Sequence, residues 1–351
     1  MDRKTRAILG FGLLVVLLLA GGGTIFVLTR PTPSPPAHAA DTVPEQAVIR
    51  IPLTGPVAQP NAEISGMAWY GDAESEFQLI LLPQYPSRLG NALFALPQTA
   101  ILAYLDGTGA AALEPQSIAL DDAGIAKQID LFQGYEAIAF SGERVFLTIE
   151  AGRGAAMMGY LVAGTLAPDL STLALDAGRI TPIAPQSALD NTTDEALLIV
   201  GDVLVTLYEE NGIDVNPSPV AHRFDFELNA LDSVPFPNIE YRITDAADLE
   251  SEGYFWAMNY FFPGDKAQAP EDPLIAIYGQ GQTHSQNAWV ERLLLFQYAE
   301  SGITLVDQAP IPLELSDEAR NWEGVVKLDE RGFLLVTDKH PETILGFVKQ
   351  P

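Results

Sequence analysis

The stretch "NWEGVVKLDERGFLLVTDK" occupies residues 321–339. Two apolar, β-branched runs flank a turn built from Asp, Glu, Arg and Gly, which is the pattern of a hairpin. Glu323 opens the first run and Asp338 closes the second. Used as a probe, the stretch finds copies of itself. "EAIAFSGERVFLTIE" covers residues 136–150 and "EALLIVGDVLVTLYE" covers 195–209. From the opening Glu to the closing acid the offset is 15 residues in the probe and 14 in both copies. Looser copies begin at Glu63 and Glu240, with Gln84 and Asn259 in place of the closing acid. Two further strand candidates follow each of the middle copies: 157–166 and 178–184, 220–228 and 231–236, 290–299 and 303–315.

Four strands per unit over five units predict an all-β fold, a five-bladed β-propeller. The last unit stops at "TILGFV" (343–348), one strand short. "AVIRIPL" (47–53) can supply that strand, closing the ring and hiding both edges. A pair of β-sandwiches is the competing architecture, but it places no recurring acid at each inner hairpin.

In a propeller the first strand of each unit lines the channel, and the start of strand one lies beside the end of strand two. The expected neighbours are therefore Glu136 with Glu150, Glu195 with Glu209, Glu323 with Asp338, Glu63 with Gln84 and Glu240 with Asn259. Carboxylates gathered at one mouth repel, which either raises their pKa values or calls for a counter-cation. Hard oxygen ligands in such numbers suit Ca²⁺ better than Mg²⁺. The metal-ligand candidates are Glu63, Glu136, Glu150, Glu195, Glu209, Glu240, Glu323 and Asp338. The plain alternative is that each acid accepts backbone N–H bonds and staples neighbouring units. Arg88, Arg153, Lys339 and His340 follow the second strands and are the ligand-binding candidates, able to hold a phosphate or merely to form rim ion pairs. His222 alternates with Phe224 and Phe226 and reads as packing; His284 reads as a loop residue. Tyr260, Phe261 and Phe262 begin the one sizeable insertion, to about Gln286, a candidate lid or recognition loop.

The segments "EISGMAWY", "LILLPQY", "YEAIAF", "VFLTIE", "NWEGVV" and "GFLLVTDK" resemble the phytase-like propellers, the family named for esterase-like activity of phytase. The resemblance spans the pattern from Ala47 to Val348 and is specific around the Glu-bearing hairpins. It implies a secreted or membrane-attached β-propeller and Ca²⁺-linked phosphoester hydrolysis. It also implies that Glu63, Glu136, Glu195, Glu240 and Glu323 are the channel acids.

The chain of 351 residues carries 46 acids against 19 bases, a formal charge of −27, and no cysteine. Nucleic acid is a poor partner for such a surface. Disulfides, thiolate metal sites, cysteine nucleophiles and a lipobox anchor are all excluded. Residues 7–28 hold no charge and follow the basic "MDRKTR", long enough to span a bilayer with Arg3, Lys4 and Arg6 left in the cytoplasm. Residues 1–30 therefore read as a transmembrane signal-anchor, 31–45 as a Pro-rich stalk and 46–351 as the propeller. Cleavage after "AHA" (37–39) would release a secreted form instead. No P-loop, GxSxG or HExxH is present. The expectation is an extracytoplasmic ligand- or protein-binding module with an acidic, Ca²⁺-binding mouth; a Ca²⁺-dependent phosphoesterase is the alternative.

Overall fold

The computed structural model describes residues 43–59, 61–71, 75–264 and 272–351. The expected membrane segment and most of the stalk lie outside the described residues, and among those described no helix is long and apolar enough to cross a membrane.

The strands fall into consecutive antiparallel meanders. After β1 (Val48–Ile51), the first meander is β2 (Ile64–Tyr70), β3 (Gln78–Pro83), β4 (Ala92–Pro97) and β5 (Gln116–Asp121). Next come β6 (Phe132–Ser141), β7 (Arg144–Ala151), β8 (Met158–Leu166) and β9 (Thr172–Ile183), joined to the first by a parallel β5–β9 pairing into one eight-stranded sheet. A third is β10 (Asp194–Val200), β11 (Val203–Tyr208), β12 (Val220–Asp225) and β13 (Ala230–Pro235). The fourth is β14 (Arg242–Ala246), β15 (Tyr254–Phe261), β16 (Val290–Ala299) and β17 (Gly302–Leu305), with β18 (Ile311–Pro312) also on β16. The last is β19 (Trp322–Leu328), β20 (Gly332–Thr337) and β21 (Leu345–Lys349). Its outer strand is β1, paired to β21 with Val48 opposite Val348, so the chain's two described ends share one sheet as the sequence pattern required.

The inner strands meet in cyclic order: β2 against β6, β6 against β10, β10 against β14, β14 against β19, and β19 back against β2. This is a closed β-propeller arrangement. Each sheet is sandwiched, and that explains why its strands read as unbroken apolar runs rather than alternating ones. In β3, Leu79 and Leu81 enter one core with Leu334 and Val336, while Ile80 and Leu82 enter another with Tyr135 and Leu147. Each face of a strand thus fills a different gap between sheets. Close approach at the ring centre needs small residues. A Cβ on Gly66 would lie 2.4 Å from the Glu136 carbonyl oxygen, on the facing inner strand. Gly66→Ala is therefore expected to cost roughly 1–3 kcal/mol, read as a lowered melting temperature; an unchanged value would mean β2 and β6 are not held this tightly.

Departures from the strand pattern are local. Helix α1 (Gln98–Leu105) sits between β4 and β5 where no helix was expected, and α2 (Ile125–Gln128) is a single turn. The insertion is shorter than its aromatics suggested. Tyr260 and Phe261 belong to β15, and α3 (Pro273–Tyr278) begins on a Pro capped by the Asp272 carboxylate. The end of the expected stalk is docked. Glu45, side chain buried, accepts from the Thr283 and His284 amides at 2.9 and 3.0 Å and meets His284 Nδ1 at 2.8 Å. His284, read as a loop residue, is thus buried and hydrogen-bonded.

Candidate functional site

The mouth of the ring is built by β-bulges. Near its start each inner strand slips by one residue against its partner, between Ile64 and Gly66, Asp194 and Ala196, Ile243 and Asp245, and Trp322 and Gly324. In β6 the slip lies between Tyr135 and Ile138. A bulge re-aims the extra side chain. The five residues so placed are Ser65, Glu136, Glu195, Thr244 and Glu323.

Two of them are hydroxyls that staple the ring. Ser65 Oγ donates to the Tyr135 carbonyl and Thr244 Oγ1 to the Trp322 carbonyl, both at 2.6 Å. The other three are buried glutamates, 4–8% exposed. Glu63 and Glu240, expected as their equivalents, stand two and four residues earlier in their copies. Glu240 lies off the ladder altogether, where its carboxylate accepts from the Ile213 amide at 3.3 Å. It acts as a staple for that loop.

The bulges also shift the rungs, by two residues in three of the copies and by three in the fourth meander. Glu150 faces Gly134; Glu209 donates its amide to Thr193 O, and Asp338 to Asn321 O. Tyr260 faces Arg242, and Asn259 faces Ile243 on the ladder, though its side-chain amide still donates to the Glu240 carbonyl at 3.1 Å. Of the five expected rungs only Glu63 with Gln84 holds, through the Gln84 amide on Glu63 O at 2.7 Å. Counting residues between two acids cannot register an extra residue in one strand, which is why the spacing misplaced these pairs.

Arg242, two residues before Thr244, is the residue that the acid pattern did not single out. Its Nε binds Glu209, and its Nη2 lies 3.5 Å from Glu195 and 3.4 Å from Glu323. Asn321 Oδ1 accepts from Nη1 at 3.3 Å, and the Asn321 amide donates to Glu323 at 2.6 Å. One guanidinium therefore bridges acids from two neighbouring meanders. The signal was present in "EYRITDA", where Arg242 stands two residues after Glu240.

Burial sets the protonation of this cluster. Glu136 is pushed well above the usual carboxylate range by burial and by Glu150, Glu195 and Glu323, against the Gln84 amide at 3.1 Å. Burial lifts Glu150 to about 7, opposed by the Thr193 hydroxyl and Arg242. Glu195 rises to about 8 by burial, opposed by Arg242. Glu323 rises to about 8 by burial and by Glu195, and Asp338 to about 8 by burial and by Glu323 and Glu63. The mouth is thus a store of protons exchangeable near neutral pH. Two buried oxygens, Glu209 Oε2 and Asp338 Oδ1, have no hydrogen-bond partner.

The four basic candidates separate. Arg88 binds Glu63 at 2.6 Å and stacks over Tyr85, and Lys339 reaches the same Glu63 at 3.4 Å. Both charges are spent on one carboxylate. Arg153 is exposed at the β7–β8 connection. Only His340, exposed, borders an open space: a cavity of about 490 Å³ over Arg242. Tyr260, Phe262, Trp289, Asp317, Glu318 and Asn321 complete most of its wall. His222 is largely buried, with Nδ1 3.5 Å from Asp194, in keeping with a packing role.

No family model matches the chain, and no curated protein matches it. Among solved structures the chain is similar to the catalytic domain of Coprinopsis cinerea GH62 α-L-arabinofuranosidase, at 7% identity over 87% of this chain and 96% of that one (TM-score 0.47). It is also similar to the GH43_1 enzyme from Xanthomonas citri, at 10% identity over 86% and 91% (TM-score 0.45). A third likeness is to Kuenenia stuttgartiensis hydrazine synthase, at 9% identity over 78% of this chain (TM-score 0.37); there the chain spans only 61% of the other's length. Identities this low carry no activity across.

Proposed function

We propose that the chain is a five-bladed β-propeller held outside a membrane by its N-terminal segment, binding a small ligand in the cavity over Arg242. Five inner hairpins in cyclic contact support the blade count. The uncharged run 7–28 behind three bases supports the anchor. Cleavage after Ala39 would give the same domain in secreted form. The observation that carries the binding reading is the cavity itself. Its volume of about 490 Å³ suits a small molecule, and three aromatic rings meet a few polar groups in its wall.

We infer that Arg242, rather than Ca²⁺, supplies the counter-charge for the acids of the mouth. Ca²⁺ takes six to eight oxygens, whereas Glu195, Glu209 and Glu323 already share a guanidinium and Glu63 is taken by Arg88 and Lys339. Among the described residues no three Asp, Glu or His side chains gather as a metal-binding group. As arranged, these residues do not fit a resident Ca²⁺ ion. The phosphoesterase alternative needs that ion and free bases, so binding is the reading the geometry favours. Among the described residues no serine or threonine lines the cavity beside His340.

A thermal-shift screen of small molecules on the full chain, in nonionic detergent, tests the reading. At least one compound is expected to raise the melting temperature of the wild type but not of Trp289→Ala. Phosphoesters are expected to remain intact with or without Ca²⁺. Hits indifferent to Trp289→Ala, or Ca²⁺-dependent turnover, would sink it.

A further inference from the structure

We propose that the cavity over Arg242 takes a small organic cation, a primary or quaternary ammonium, against the faces of Trp289 and Tyr260 and the carboxylates of Asp317 and Glu318. The proposal rests on the binding reading above and names its ligand class.

Charge decides first. Among the described residues Arg242 is the permanent cation of the wall, but its guanidinium is bound to Glu209 and flanked by Glu195 and Glu323, so the floor it forms carries no excess positive charge. Glu209, 1% exposed, keeps a second oxygen without a partner in that floor. The rim adds Asp317 and Glu318, both exposed. An anion such as phosphate would meet two free carboxylates and a neutralised arginine, so it is disfavoured on both counts.

Wall chemistry decides second. Aromatic faces attract cations through the ring quadrupole, most strongly in Trp and Tyr. Arg242 already stands 5.7 Å from the Tyr260 ring centroid, so this cavity holds one cation–π contact built from its own residues. A neutral polyol would instead need uncommitted amides and hydroxyls. Asn321, the amide among the described wall residues, is committed on both sides, donating to Glu323 and accepting from Arg242. Aromatic faces with carboxylates and no free amide suit an ammonium.

Calorimetry on the full chain in nonionic detergent, at low salt, tests this with defined probes. They are tetramethylammonium, butylammonium, the neutral isostere 3,3-dimethyl-1-butanol, xylobiose and inorganic phosphate. Both ammonium ions are expected to bind, with the neutral isostere roughly tenfold weaker or worse. Trp289→Ala, and separately Asp317→Asn with Glu318→Gln, should each weaken ammonium binding roughly tenfold, about 1.4 kcal/mol. Circular dichroism of each variant checks that the fold is kept. Ammonium binding that survives both variants is adsorption to the acidic surface and overturns the proposal. If xylobiose or phosphate binds in a Trp289-dependent way and the ammonium ions do not, the cation inference fails while the binding reading stands. If no probe binds and the screen above yields no Trp289-dependent hit, both fail.

Discussion

Arg242→Met is expected to lower the melting temperature by roughly 10 °C at pH 8, and by much less at pH 5. Breaking a buried ion pair by removing one partner costs roughly 3–5 kcal/mol, because the other charge is left desolvated and unpaired. In a domain of this size each kcal/mol moves the midpoint by roughly 2–4 °C. Arg242 qualifies because its side chain is 14% exposed and those of Glu195, Glu209 and Glu323 are 9%, 2% and 11% exposed. Acidification lessens the penalty, since at pH 5 Glu195 and Glu323 are protonated in the folded state and need no counter-charge. Arg242→Lys should recover only part of the loss, because a point charge cannot address three carboxylates in the fork geometry of a guanidinium. Thermal melts of the three proteins at both pH values decide the matter. A loss equal at pH 5 and pH 8 would mean that Arg242 serves as packing against Tyr260 and not as a counter-charge.

That arginine also marks the limit of what the sequence made legible. The hairpin pattern of 321–339 is local, and local pattern found each inner hairpin and the β1–β21 closure, because both depend on runs of apolar residues bounded by turns. Third and fourth strands were read after the three middle copies only; β4 and β5 of the first meander were not singled out, and 303–315 divides into β17 and β18. In β9 a bulge lengthens the strand to Thr172–Ile183, well before the expected 178. Glu136, Glu195 and Glu323 were read as channel acids, and they share the bulge position. The alignment failed at Glu63 and Glu240 because the bulge, not the glutamate, is the repeating feature. Ser65 and Thr244 occupy it there as stapling hydroxyls, which no acid-based probe can find. Trp289, Asp317 and Glu318 come from loops outside the repeat and meet only in three dimensions. Lys339 and Arg88 were read as holding a phosphate or forming rim ion pairs; the ion pair is found, and its partner, Glu63 for both, is set by the ring's curvature, which spacing along the chain does not encode.

Stability of the wild type is expected to fall as pH rises from about 5 to 9, and Glu136→Gln to flatten that fall. Glu150, Glu195, Glu323 and Asp338 titrate at about 7 to 8 in the fold, against 4.5 for an ordinary Glu and 3.8 for Asp. Between those values the native state holds protons the unfolded chain has already lost. Folding then takes up protons, and each costs stability at about 1.4 kcal/mol per pH unit as pH climbs. Carboxyls with lowered pKa, Glu45 and Glu342 among them, act oppositely, and their contribution is lost below about pH 4.5. The optimum therefore lies near pH 5. Facing Glu136 across the mouth are Glu150, Glu195, Glu323 and, through its amide, Gln84; Arg242 addresses the first three from β14. A glutamine there keeps the Gln84 bond and, unlike Glu136, needs no proton taken up on folding. It should stabilise by roughly 1–2 kcal/mol at pH 8.5, raise the midpoint by a few degrees, and leave pH 5 unaltered. Urea melts across the pH range read both slope and midpoint. A destabilised Glu136→Gln at pH 8.5 with an unaltered slope would mean that Glu136 is an ionised, well-partnered carboxylate, and the proton store at the mouth would have to be abandoned.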